Sequence, residues 1–260
     1  MFEPIEDLIA EQAQVDVLVS QFKGADWERK ASFCTSWTFK DVIAHIALFD
    51  YCAVELLNGR GTSVGEVGQA YSGHDEHYKI DVLQDRTGEE ALSWWREQRT
   101  AMVANFLQSD AKERVPWAPG LPMSKRSLCS ARLMELWAHS VDLYDALGIK
   151  PVVTDRIAST LFLSWQGRPN QYRINGFELP DTPLYLELVL PSGALWKKGD
   201  PNAVNIIRGS AEDWALVSIR RRHWMDTDLE VTGEEARRYA SIVQTYAGDA
   251  EACPPAKRIR

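Results

Sequence analysis

Long apolar runs are missing from this chain. No segment approaches the roughly 18 uninterrupted apolar residues that a membrane-spanning helix needs, so no membrane partner is expected. The opening residues, MFEPIEDLIAEQ, are acidic where a secretory leader is basic and then apolar, and the expected location is the cytoplasm. Cysteine is scarce. Cys34, Cys52, Cys129 and Cys253 are scattered with no CxxC spacing, which argues against a disulfide framework and a cysteine zinc knuckle and leaves reduced, mostly buried thiols as the expectation. Internal repeats and low-complexity tracts are also absent. Positive charge is in deficit: 29 Lys and Arg face 37 Asp and Glu, a formal net charge of −8, so there is no general attraction to phosphate backbones or anionic lipid. Arg220-Arg221-Arg222-His223 is a local basic run, yet nucleic acid is not expected as a partner.

What is present suits two globular domains. The chain has 260 residues, 45% of them hydrophobic, and its character changes at Pro151, which places the expected domains at residues 1–150 and 151–260. Residues 4–23 set Ile5, Leu8, Ile9, Leu18 and Phe22 on roughly one helical stripe, with acidic residues in the first turns where the helix dipole favours them. Thr38 is a start signal with Asp41 three residues on, and Val42, Ile43, Ile46 and Phe49 supply a buried face as far as Asn58, before Gly59 and Gly61. A long connection to about Gln84 follows, with a short helix expected within GEVGQAYSGHDEHY. Thr87 opens EEALSWWREQRTAMVANFLQ, and SLCSARLMELWAHSVDLYDAL stops at Gly148. Four such amphipathic helices close a bundle. Past Pro151, residues 153–166 still read as helix. LYLELVL, AVNIIRG and DLEVTG then read as strands, and EDWALVSIRRR and EEARRYASIVQTYAG as helices, so the second half is expected to be α+β.

Chemistry concentrates on two of the bundle helices. Glu135 and His139 are four residues apart and project from one helical face, and His45 sits mid-helix among apolar neighbours. Each alone has a plain explanation, a hydrogen-bonded core histidine or a surface Glu/His pair. Their coincidence on the inner faces of two helices makes a three-ligand metal site with an open fourth position, the catalytic pattern for zinc; nickel and iron suit the same two histidines and glutamate. Asp41 and Asp142, about one turn from His45 and His139, are candidates to orient the imidazoles, and equally candidates for solvated helix faces. His74 and His77, in HDEH of the long connection, are weaker candidates for a second metal motif. The many tryptophans, Trp137 among them, are expected first in cores and seams.

The segment CTSWTFKDVIAHI, followed later by ELWAHSVDLYDALG, resembles the pattern of the DinB-like, mycothiol-dependent maleylpyruvate isomerase superfamily. The resemblance implies an N-terminal DinB-like four-helix bundle whose metal ligands are His45, Glu135 and His139, followed by a small sterol-carrier-like α+β domain, similar here over IIRGSAEDWALVSIRRRHWMDTDLEVTGEEA. It lies nearest to a branch known for metal binding, with a QRRH-like motif that stands here as Arg220-Arg221-Arg222-His223. It further implies Zn2+ and mycothiol, or another low-molecular-weight thiol, as cofactor and cosubstrate. Arg222 is implied as the catalytic arginine that serves an anionic substrate, although this chain has Arg-Arg-His where the isomerase shows Gly-Arg, and Arg221 and Trp137 are assigned to thiol binding. The expected function is a zinc-dependent, thiol-using isomerase or S-transferase acting on a small electrophilic molecule, as monomer or homodimer. A zinc-water hydrolase or hydratase and a non-catalytic apolar-ligand module with a vestigial metal site are the alternatives.

Overall fold

The computed structural model describes residues 4–34, 36–69, 86–118 and 121–257, and its chain divides into two compact units, Met1–Pro151 and Val152–Arg260. The first unit is built on four long helices: α1 (Pro4–Val19), α2 (Phe39–Leu57), α4 (Gly88–Leu107) and α5 (Lys125–Leu147), with a short α3 (Val64–Gly68) after α2. Their starts follow from local chemistry. The Thr38 hydroxyl accepts from the Asp41 N–H while the Asp41 carboxylate accepts from the Thr38 N–H at 2.7 Å, and Thr87 and Glu90 form the same reciprocal cap on α4. Each pair satisfies amides that have no partner inside the helix. At the far end of α5, Gly148 takes the left-handed φ of 69° and caps the last carbonyls.

Helix α2 packs along α4, and α1 along α5. One apolar cluster joins Val15, Val19, Trp27, Phe39, Ile43, Ile46, Trp95, Leu136 and Leu143, and a second joins Ile5, Leu8, Leu56, Met102, Phe106, Leu128 and Leu133. At Gly88 an added Cβ would stand 2.0 Å from the Trp27 ring, so glycine is what lets the start of α4 lie against that indole. Three features depart from the sequence reading. Helix α1 stops at Val19, and a 3-10 turn over Gly24–Glu28 buries Trp27 instead. Ile9, placed on the inner stripe by spacing, is exposed. A small antiparallel hairpin, β1 (Arg114–Ala118) and β2 (Leu121–Ser124), precedes α5 where no strand was expected.

In the second unit a 3-10 turn at Asp155–Ile157 leads into α6 (Ala158–Gln166) and α7 (Arg168–Ile174). Then come β3 (Leu184–Val189), β4 (Leu195–Gly199), β5 (Asn205–Ser210), α8 (Ala211–Ser218), β6 (Glu230–Thr232) and α9 (Glu234–Ile242). The sheet order is β4-β3-β5-β6, with β3 parallel to β5 and the other pairs antiparallel. Leu184, Leu186, Leu188 and Ile207 are buried, while on the other face Glu187 pairs with Lys197 at 3.2 Å and Arg208 at 3.3 Å. The helix expected to run through the arginines ends at Ser218. Arg220 takes a left-handed φ of 60°, its side chain is buried, and Nη1 donates to the Ser241 carbonyl at 2.8 Å, so the chain turns away from the helix before Arg221. The fold is therefore an N-terminal helical unit followed by α+β. No described helix is long and apolar enough to cross a membrane.

Candidate metal centre

The Thr38 cap fixes the start of α2, and two turns further on that helix carries His45. Helix α5 carries Glu135 and His139 one turn apart. The structure brings these three together. One ligand atom from each of His45, Glu135 and His139 lies within 4.8 Å of the others, with His139 Nε2 and Glu135 Oε2 at 3.6 Å. The two imidazoles meet edge to face at 4.8 Å between ring centres. Trp37 stacks on His139 at 5.7 Å and leans against His45 at 4.7 Å, and Phe49 also lies 4.7 Å from the His45 ring. Aromatic walls of this kind lower the local dielectric and fix ring orientation.

The donor set fits a divalent cation. Two imidazoles and one carboxylate at bonds of about 2.0–2.2 Å stand about 3.3–3.6 Å apart around a tetrahedral ion, close to the separation found between His139 and Glu135. The second nitrogen of His139 is also committed: Nδ1 lies 3.1 Å from Asp142 Oδ2, and because a carboxylate only accepts, the ring is the donor. That bond turns Nε2 toward Glu135, the orientation a metal ligand requires. Burial is the largest single influence on the His139 ring and opposes its charge. The hydrogen bond and charge of Asp142, with the Cys34 sulfur, outweigh it and raise the pKa to about 9.

Other residues singled out in the sequence fall elsewhere. Asp41, a candidate partner for His45, has its carboxylate engaged in the α2 cap, accepting from the Thr38 N–H and hydroxyl at 2.7 and 2.8 Å. Trp137 is buried on α5. Arg221 and Arg222 belong to the second unit, where Arg221 Nη1 donates to the Ile219 carbonyl at 2.9 Å and Arg222 Nη1 to the Arg221 carbonyl at 2.8 Å. His74 and His77, with most of the long connection, lie outside the described residues.

Two features went unnoticed in the sequence. Arg132 and Asp50 form an ion pair with Nε to Oδ1 at 3.0 Å and side chains 2% and 4% exposed, with the guanidinium 5.7 Å from the Phe49 ring that also touches His45. Burial is the larger influence on Asp50 and pushes its carboxyl up against the pull of Arg132. The signal was there: Arg132 precedes Glu135 by three residues and His139 by seven, so it shares their inward face. The other feature is Cys34, whose thiol lies 3.8 Å from Asp142 Oδ2.

A helical unit that converges two histidines and a glutamate, joined to an α+β unit, defines a class of protein. Residues 8–144 match the mycothiol maleylpyruvate isomerase N-terminal domain, and the chain belongs to that family. Two uncharacterized proteins of Mycobacterium tuberculosis, Rv0036c and MT0041, are each 30% identical to it over 247 residues, spanning 94% of this chain and 95% of theirs. Crystal structures of the mycothiol-dependent maleylpyruvate isomerase, one of them a histidine-to-alanine mutant, share the fold with TM-scores of 0.55 and 0.57. Their identity is 13%, over 84% of this chain and 88% of theirs.

Proposed function

We propose that this chain is a metal-dependent enzyme of the cytoplasm that uses mycothiol, or another low-molecular-weight thiol, to isomerise a small electrophilic anion or to form a thiol conjugate with it. The observation that carries the reading is the convergence of His45, Glu135 and His139 within 4.8 Å, on elements that belong to a family named for a thiol-dependent isomerase. Zinc suits the donor set, as do nickel and iron. A divalent cation held there supplies Lewis acidity that keeps a bound thiol deprotonated at neutral pH.

The remaining roles belong to side chains. Asp142 holds His139 in the tautomer that presents Nε2, while Trp37 and Phe49 exclude water from the histidine pair. Glu135 is the more exposed of the α5 ligands, with 22% of its side chain accessible against 8% for His139, which supports an open side of the site at the carboxylate. Arg222 is assigned to the carboxylate of the substrate, and to the enolate that develops when the thiolate adds to an unsaturated carbon; a fixed guanidinium acts most strongly on charge of that kind. Departure of the thiolate after bond rotation gives isomerisation, and retention gives a conjugate. Arg221 and Trp137 are assigned to the thiol cosubstrate.

The test is elemental analysis of the purified protein together with turnover of small unsaturated dicarboxylic acids, with and without added thiol. About one equivalent of metal, lost in Glu135→Ala and His139→Ala, and turnover that requires thiol is the expected result. Turnover without thiol would replace this reading with a metal-water hydrolase or hydratase. Absence of metal after reconstitution would leave the apolar-ligand module.

A further inference from the structure

Both nitrogens of the His139 ring face metal-ligating groups. Nε2 faces Glu135 and His45; on the opposite edge, Nδ1 faces Asp142 Oδ2 at 3.1 Å, and Cys34 Sγ lies 3.8 Å from that same oxygen. One ligand atom from each of Cys34, His139 and Asp142 lies within 4.8 Å of the others. Around a tetrahedral ion with bonds of about 2.0–2.3 Å, nitrogen, oxygen and sulfur ligands stand about 3.3–3.6 Å apart. The two measured separations bracket that range and the third lies within 4.8 Å, so a cation enters by drawing the three groups together.

We propose that Cys34, His139 Nδ1 and Asp142 form a second, sulfur-bearing metal subsite that takes a thiophilic divalent cation of the cadmium and zinc class. The sulfur separates it chemically from the first set, because thiolate ligands favour softer cations than carboxylate and imidazole alone. Cys34 is only partly buried and so reachable from solvent, whereas Cys52 and Cys129 are sealed in the core. Coordination releases two protons to solvent, one from the Cys34 thiol and one from Nδ1, and Asp142 exchanges its hydrogen bond for a bond to the cation. The subsite therefore reads out on the first set through a shared ring: filling it removes the N–H···O bond that orients His139. It does not depend on the thiol chemistry proposed above.

The experiment is a cadmium titration of the metal-free full-length chain carrying His45→Ala and Glu135→Gln, which leaves the Cys34 set intact. One equivalent bound, with ultraviolet thiolate-to-cadmium charge-transfer absorption that disappears on adding Cys34→Ala and persists on adding Cys253→Ala, is the expected result. The same titration of the otherwise unaltered chain, with and without Cys34→Ala, covers the case in which the multiple variant fails to fold; there too the absorption should vanish with Cys34. Cadmium bound without the absorption, absorption that survives Cys34→Ala, or no cadmium bound would overturn the proposal. A Cys34-dependent signal in a protein with no thiol-dependent turnover would sink the proposed function and leave this subsite standing.

Discussion

The hydrogen bond between His139 and Asp142 makes metal affinity depend on pH in a way that one substitution should abolish. With the His139 pKa raised to about 9 in the metal-free protein, only about 1% of the ring is neutral at pH 7, and a ligand must be neutral to bind. Affinity for a divalent cation should therefore rise about tenfold per pH unit from 7 toward 9, a gain of about 100-fold or 2.7 kcal/mol, and then level off. Asp142→Asn removes the main charge that holds the proton, leaving burial opposed only by the Cys34 sulfur, so the pKa falls toward the ordinary imidazole value. The variant should show no rise between pH 7 and 9. Above pH 9 it should bind about 10–100-fold more weakly than the parent, because the anchor that orients Nε2 is weakened. Near pH 7 the two should converge, since the loss of anchoring is offset by relief from proton competition. Chelator competition across this pH range measures both curves. A parent curve that is flat from pH 7 to 9, or an Asn variant that keeps the slope, would refute the argument.

Three further outcomes follow from packing and charge. Arg132→Met leaves Asp50 buried without its closest counter-charge and should cost about 3–5 kcal/mol in urea unfolding; because the Asp50 carboxyl is already pushed up, the loss should shrink as pH falls and the group takes a proton. Gly88→Ala places a methyl 2.0 Å from the Trp27 ring and should cost about 1–3 kcal/mol, with a shift in the tryptophan fluorescence of the folded state. Burial acts against the Asp16 carboxylate, but Arg96, Ser20 and Arg99 outweigh it and hold its pKa at about 2. A depressed acid stabilises the fold above its ordinary value of 3.8 and loses that contribution as pH falls through about 2, so Asp16→Asn should flatten acid unfolding in that window, by no more than about 1 kcal/mol after solvent screening.

By itself the sequence determined whatever depends on neighbours along the chain. The caps at Thr38 and Thr87, the stop at Gly148, and the strands at Leu184, Asn205 and Glu230 are written in residues within a turn or two of the structure they set. The spacing of Glu135 and His139 is of the same kind, because a helix fixes what four residues apart must do. Tertiary structure decided the rest. The 3-10 turn that buries Trp27 needs Gly88 from another helix, and Ile9, on the stripe that spacing turns inward, is exposed among the described residues. Asp41 was drawn to a local cap by its nearest amides, so proximity along the helix to His45 did not make it that histidine's partner. Arg220 entered a left-handed turn because its guanidinium is held by Ser241, a residue from α9 that no helical periodicity around the arginines reports. The pairing of Asp50 with Arg132, and of Cys34 with Asp142, joins residues far apart in the chain. Charge is costly to bury alone and affordable only in company, and the company is chosen by which helices pack together.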